Sequence, residues 1–329
     1  MNASRSEQSR LADLMRGFVS LVQSSGIVVP LVVLWIVLAI TTPRFISPIN
    51  LGNLSVQFAV IGALAIGTTC VIICREIDLS IGAIEGFCAV IAAITAVRLG
   101  LPWPLAVLAA ILAGALIGGF NGFMVARVGV PSFVVTLGTL GIVGGIALVI
   151  SGGQSIYGFP DAYQWIGQGN LGGLRAPIIF TGLLLIVMHI VLRHTKLGLG
   201  FYAVGGNERA AGLVGISIVR TKLIALTISG ASAGLAGVLV SARLDAANPT
   251  LGALDLLDAI AAVVIGGAAL TGGTGSILGT AAGVLLIVTI RNGLNLLGVN
   301  PFWQQTAIGS IIIIAAVIDH FNRTRRSSV

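Results

Sequence analysis

Residues 54–74 read LSVQFAVIGALAIGTTCVIIC, an unbroken run without a charged side chain. A helix rises about 1.5 Å per residue, so the run is long enough to cross a hydrocarbon core of ~30 Å. In lipid every backbone N–H and C=O must be bonded within the protein, and a helix meets that demand alone. The strand-length alternation of a membrane barrel is absent. Similar runs recur at 27–42, 81–98, 104–126, 132–151, 176–193, 222–242, 258–271, 276–297 and 303–320. The predicted fold class is all-α, a polytopic transmembrane helix bundle of about ten spans.

Composition agrees. Of the 329 residues, 56% are hydrophobic and only 9% charged, against about 25% charged in a soluble domain. Mean hydropathy is +1.06. There are 45 glycines, which suits close helix packing in membranes. A net charge of +7 does not point to nucleic acid, because the basic residues sit at span ends and in loops. Cys70, Cys74 and Cys88 lie in apolar runs without a CxxC and read as small packing residues.

An even number of spans puts both termini on one side. If that side is the cytoplasm, thirteen of the eighteen Lys and Arg residues lie inside and five outside, as the positive-inside rule demands. The start, MNASRSEQSRLADLMRG, is polar and basic and has no small-residue cleavage site after a short core. It reads as a retained tail. The expected organisation is a cytoplasmic tail at 1–26, a transmembrane domain at 27–320 and a cytoplasmic tail at 321–329. Two loops are long. The outer one, 152–175, carries Tyr157, Tyr163 and Trp165, which suit a membrane–water interface. The inner one, 194–221, has room for one short helix with Asn207 as N-cap.

NGFMVARVGVPSF from Asn121 echoes NGLNLLGVNPFW from Asn292, and the topology puts the two on opposite faces. An inverted repeat would produce this; so would chance between Gly-rich apolar stretches. GQGNLG from Gly167 to Gly172 matches a dinucleotide fingerprint but falls in a loop between transmembrane helices, without the strand and helix that the chemistry needs. No GxxxxGK[ST], HExxH or GxSxG occurs, so no nucleotide, metal or nucleophile site is expected. Small-xxx-small pairs stand at Gly114/Gly118, Gly141/Gly145, Gly230/Gly234 and Gly279/Gly283. They serve static packing or helices that slide.

Charges inside apolar runs are costly unless paired or facing water. Asp78 in REIDLSIG is placed to cap the helix starting near Ser80, or to line a polar path. Asp258 opens one expected span and Arg291 closes another. Glu85 has no neighbour in sequence to neutralise it, and Arg75 or Arg127 is its expected partner.

Five ordered stretches together resemble one family. CVIICREIDLSIGAIEG, GGFNGFMVARVGVPSFVVTLGTLGI, YAVGGNERAAGLVGISIVRTK, DAIAAVVIGGAALTGGTGSILGT and LNLLGVNPFWQQ are similar to segments of permease subunits of sugar ABC importers of the ribose/xylose/arabinose type. The resemblance runs from about residue 50 to 320. It implies a multi-pass subunit of the bacterial inner membrane, in contact with membrane lipids, with two copies or two related chains forming the pathway. It also implies a cytoplasmic ATPase pair that binds the ATP and an extracytoplasmic sugar-binding protein. This chain itself would be no enzyme and hold no cofactor or metal. The segment Gly206, Asn207, Glu208, Arg209, Ala210, Ala211 and Gly215 resembles the ATPase-docking helix of such importers. There Ala210 and Ala211 would let a short helix enter a groove on the ATPase. The family's Gly-Gly before IDLS is Arg75-Glu76 here.

The resulting expectation is a permease for a monosaccharide or small polyol, working by alternating access. Asp78, Ser80, Asn121, Thr136, Asn292 and Gln304 are the candidate hydrogen-bond partners along the path. The rival is an ion-coupled secondary transporter, for which Glu85 is the one candidate carboxylate in the apolar runs.

Overall fold

The computed structural model describes residues 26–300 and 302–310, and the chain there is a helix bundle. The expected tails, apart from Gly26, and the second half of the last span fall outside the described residues. Helix α1 is Val28–Thr41, α2 Pro48–Ile73, α3 Ile81–Ala93, α4 Trp103–Phe123 and α5 Ser132–Ser151. Five-residue π turns, Ile94–Arg98 and Met124–Val128, extend α3 and α4. A short α6, Asp161–Gln168, lies in the 152–175 loop. Then come α7 Ala176–His194, α8 Lys196–Gly206, α9 Glu208–Leu213, α10 Ile218–Leu244, α11 Asp255–Ile265 and α12 Ile277–Leu296. Residues 302–310 are helical.

Among the described residues seven helices have the length and apolarity to cross a membrane: α2, α3 and α4 with their π turns, α5, α7, α10 and α12. Helix α1, with 14 residues, is about 21 Å long. The expected span at 258–271 is not one helix. α11 stops at Ile265, and residues 266–276 continue in turns, with Gly267 at φ +90°. Local hydropathy sees an apolar run and cannot see that glycines end the helix inside it.

The echo between Asn121 and Asn292 marks a real repeat. The shift that carries one to the other maps α2 onto α10, α3 onto α11, α4 onto α12, and α5 onto the helix that includes 302–310. The two halves run in opposite directions. At one end of the bundle the carbonyl of Ile73, the last residue of α2, accepts the N–H of Gly273 at 2.9 Å, and the same carbonyl lies against Gly205 of α8. Lys222, near the start of α10, is at that end too, paired with Glu208 of α9. So α2 arrives where α10 departs.

Each half contains an interrupted span. Residues 74–80 turn back from the α8–α9 end into the bundle, and Asp78 reaches Ser229 near the middle of α10. Residues 245–254 dip in from the other end. They cross the start of α3 so tightly that a Cβ on Gly82 would lie 2.2 Å from the carbonyl oxygen of Gly252. Non-helical backbone at membrane depth survives only when protein satisfies it. Here Ser132 Oγ accepts the N–H of Ile77 at 3.2 Å, and Asp78 Oδ1 accepts that of Ser80 at 2.9 Å.

The far end is closed by the 152–175 loop. Strand β1, Ile156–Tyr157, pairs antiparallel with β4, Ala246–Ala247, while β2, Asn170–Leu171, pairs with β3, Leu174–Arg175. Tyr157 and Trp165 are exposed as an interface loop requires, but Tyr163 is not. It is fully buried, stacked on Phe159 and hydrogen-bonded to Ser241 Oγ at 2.8 Å.

Helix α2 is the axis of the bundle: 89% of its apolar window is buried, against 22% for α4 and α5. Those two and α7 therefore present leucine, valine and phenylalanine side chains outward to lipid. Three of the four small-xxx-small pairs are packing sites. Gly114 and Gly118 of α4 meet Gly230 of α10, Gly234 meets Ala110, and Gly279 and Gly283 meet Gly266 and Ala262. Nothing comes within 4 Å of a Cβ built on Gly141 or Gly145.

A Cβ on Gly230 would sit 2.1 Å from the carbonyl oxygen of Gly114. Gly230→Ala should therefore lower stability by about 1–3 kcal/mol through forced separation of the helices. Gly141→Ala should cost nothing and can gain up to ~1 kcal/mol in helix propensity. Thermal unfolding of both variants in detergent checks the contrast.

Candidate translocation site and coupling face

The interruption at 74–80 places four of the six expected path residues in one network. Asp78 Oδ1 accepts from Ser80 Oγ at 2.6 Å, and Asp78 Oδ2 accepts from Ser229 Oγ at 2.8 Å. Asn121 Nδ2 donates to Ser80 Oγ at 3.0 Å, and Asn121 Oδ1 accepts from Thr139 Oγ1 at 2.6 Å. Thr136 Oγ1 donates to the carbonyl of Ile77 at 3.2 Å. All four are buried. Their groups join α3, α4, α5 and α10 to the interrupted segment. Asp78 accepts no N–H from within α3, so it does not cap the helix as expected; it holds Ser80, the residue that precedes the helix, and ties it to α10.

The other two lie elsewhere. Asn292 of α12 forms a reciprocal amide pair with Asn50 of α2, at 2.9 and 2.8 Å. Gln304 Nε2 donates to the carbonyl of Val299 at 3.1 Å. Neither expected partner of Glu85, Arg75 or Arg127, pairs with it. Arg75 sits at the α8–α9 end against Gly272, and both Glu85 carboxylate oxygens are buried without a hydrogen bond among the described residues. Sequence distance misled here. The interrupted segment leaves Arg75 at the bundle's end while Glu85 rises into its middle.

A second group of charges was not legible as a unit. Arg291 of α12 reaches both carboxylates on the first turn of α11: Nη1 is 3.5 Å from Asp255 Oδ1, and Nη2 is 2.7 Å from Asp258 Oδ2. These residues, with Gln57 of α2 and Arg243 of α10, line a cavity of about 260 Å³. The i, i+3 spacing of Asp255 and Asp258 is the one signal that could have shown a shared face.

At the α8–α9 end, Lys222 Nζ lies 2.7 Å from Glu76 Oε1 and 2.6 Å from Glu208 Oε1. Glu76 stands at one of the two positions where the resembling family has glycine. It follows Arg75, which holds φ +64°, a left-handed conformation natural to glycine and strained for other residues. The cluster links the loop after α2, the helix α9 and the foot of α10.

The 194–221 loop holds two helices where one was expected, α8 and α9. Asn207 is the N-cap between them, its Oδ1 accepting the N–H of Ala210 at 3.0 Å. Gly206, Asn207, Arg209, Ala210 and Gly215 are exposed and Glu208 is partly so. Ala211 is different. It is 3% exposed, packed within its own chain, and cannot itself enter a groove elsewhere. The apolar tip is Leu213 and Val214, 90% and 76% exposed.

Comparison with known proteins assigns the chain. A family model described as "Branched-chain amino acid transport system / permease component" matches residues 50–316. The chain is 38% identical to the ribose import permease protein RbsC of Bacillus subtilis over 96% of its own length and 98% of that protein. It is 37% identical to the Escherichia coli K12 ribose import permease, with 89% and 92% of the two chains covered. It is 33% identical to the E. coli K12 xylose transport system permease protein XylH, with 87% and 88% covered. No solved structure matches. The family description names amino acids and these relatives are named for sugars, so membership alone does not choose a substrate. With seven membrane-length helices among its described residues, the chain is a multi-pass inner-membrane protein, and it belongs to the permease-component family of ABC importers that includes the ribose and xylose permeases.

Proposed function

We propose that this chain is the membrane-spanning permease subunit of an ATP-driven importer for a monosaccharide or related small polyol. The observation that carries the reading is the charge cluster of Lys222 with Glu76 and Glu208, which joins the exposed α8–α9 pair to the interrupted segment bearing Asp78. A transporter that hydrolyses ATP on another subunit must receive force through a contact. That contact must reach a part of the bundle able to change state. The α8–α9 end supplies both, and the sugar-named relatives supply the substrate class.

In this reading the α8–α9 end faces the cytoplasm, as do both termini. A pair of ATPase subunits closes on ATP and pushes against α9. The push reaches the 74–80 segment through Glu76 and α10 through Lys222, and the two inverted halves rock about the crossing of Gly82 and Gly252. The substrate arrives from an extracytoplasmic binding protein at the opposite end, and a second copy or related permease completes the path. The buried Asp78–Ser80–Asn121 network holds the interrupted segment rigid enough to transmit the push.

Reconstitution into proteoliposomes with the cognate ATPase and binding protein tests the reading. Uptake of D-ribose or D-xylose should require ATP and should survive collapse of proton and sodium gradients. Uptake that follows an ion gradient without ATP would overturn it.

Docking rests on the exposed tip. Leu213→Asp with Val214→Asp should leave the membrane level of the permease unchanged, because both side chains already face solvent. ATPase recovery on pull-down should fall at least tenfold. Recovery at the wild-type level would move the docking surface elsewhere.

Coupling rests on Lys222. Lys222→Gln removes the cation and leaves Glu76 and Glu208 facing each other unpaired. ATPase recovery should persist while ATP-dependent uptake drops about tenfold. Lys222→Arg should restore most of the uptake by keeping the charge. Equal uptake by all three proteins, assayed side by side in the same vesicles, would reduce the cluster to a surface ornament.

A further inference from the structure

We infer that the cavity between α2, α10, α11 and α12, lined by Gln57, Arg243, Asp255, Asp258 and Arg291, is a transient binding site for an uncharged polyhydroxyl solute. The inference rests on the import reading above and locates its substrate. None of these residues was among the expected path positions.

Location is the first argument. Asp255 opens α11, the helix that begins where the second interrupted segment enters the bundle. Gln57 lies well inside α2, and Arg243 and Arg291 lie toward the ends of α10 and α12 away from the α8–α9 end. The cavity thus sits beside the crossing of the two inverted halves, nearer the end opposite the coupling helices. Discontinuous helices at a repeat interface are where transporters of inverted design hold their solutes.

Solvent access is the second. The side chains of Arg291 and Asp255 are 25% and 21% exposed. An arginine and a carboxylate even a quarter open to hydrocarbon would be costly, and such groups face a bundle interior or a water-filled path. The faces of α4, α5 and α7, by contrast, present large apolar side chains outward. The cavity therefore opens on the water side of the chain.

Chemistry is the third. Two carboxylates and two guanidinium groups cancel in formal charge, so the site has no net attraction for an ion. Carboxylates accept hydrogen bonds and guanidinium groups donate them, and the Gln57 amide does both. A sugar hydroxyl is donor and acceptor at once and finds either partner. Val240 and Val288 in the same wall suit the C–H face of a sugar ring. The volume of about 260 Å³ falls just under the range of ~300–1,000 Å³ typical of drug-sized ligands, which suits one small solute. The internal Arg291–Asp258 contact at 2.7 Å competes with the solute, so binding is weak and release is quick.

Gln57 is the residue to change, because it belongs to neither ion pair and its loss leaves no buried charge. The full importer, with its ATPase and binding protein, is assayed for uptake of radiolabelled D-ribose, D-xylose and L-arabinose, with D-ribose 5-phosphate as charged control. Wild type should take up at least one neutral sugar and not the phosphate. Gln57→Leu should lower that uptake at least tenfold at normal membrane level and normal ATPase recovery. Gln57→Cys gives a readout independent of turnover, since the native Cys70, Cys74 and Cys88 are buried and leave the introduced thiol as the target. A charged, water-soluble thiol reagent should label it, and saturating transported sugar should slow labelling severalfold while the phosphate does not. If Gln57→Leu fails to insert, this labelling decides. Sugar uptake at the wild-type rate in Gln57→Leu, or labelling indifferent to sugar, overturns the site and leaves the import reading standing. A wild-type importer that takes up none of the neutral sugars overturns both.

Discussion

The structure depends on one close approach, that of the Gly82 and Gly252 backbones near the middle of the bundle. A Cβ on either would come within 2.4 Å of the other's carbonyl oxygen. There the 245–254 segment, entering from one end, crosses the first turn of α3, just beyond the 74–80 segment that enters from the other, and both bury polar backbone against protein. Lipid forbids such segments elsewhere, because unsatisfied N–H and C=O groups have no water to turn to. The two interruptions of the bundle meet at that crossing. It lies beside the starts of both α3 and α11.

Around the crossing the polar groups divide into two kinds. Those at Asp78, Ser80, Asn121 and Thr136 are buried and mutually satisfied. Such a network specifies one arrangement and resists change. The group at Asp255, Asp258, Arg291, Arg243 and Gln57 lines a cavity, and within it Arg291 holds Asp258 at 2.7 Å and Asp255 more loosely at 3.5 Å. In the proposal above, these are the groups that meet an incoming solute.

The inverted repeat gives these parts a common origin in geometry. Helices α2 and α10 carry the two halves in opposite directions, and α4 packs on α10 through glycine as α12 packs on α11. The halves have diverged at their ends. One carries the 152–175 cap, pinned by the β1–β4 pair and by Tyr163 on Ser241. The other carries α8 and α9, with an apolar tip at Leu213 and Val214. Glu76 adds a charge contact that ties the second end to the first interrupted segment.

Much of this was legible in order of residues alone. An apolar run of membrane length has one stable form in lipid, so the helices and their places along the chain follow from local composition. Capping is equally local, and Asn207 serves where its neighbours said it would. The family was legible because five motifs keep their order over most of the chain. The tertiary structure alone decided the break at Ile265, the burial of Ala211, the isolation of Glu85, and the pairings of Glu76 with Lys222 and Arg291 with Asp255 and Asp258. The reason is that each depends on groups far apart in the chain being brought within a few ångströms. No periodicity within either segment records which distant partner will arrive, and in an apolar bundle that partner determines whether a charge is a cost, a link or a site.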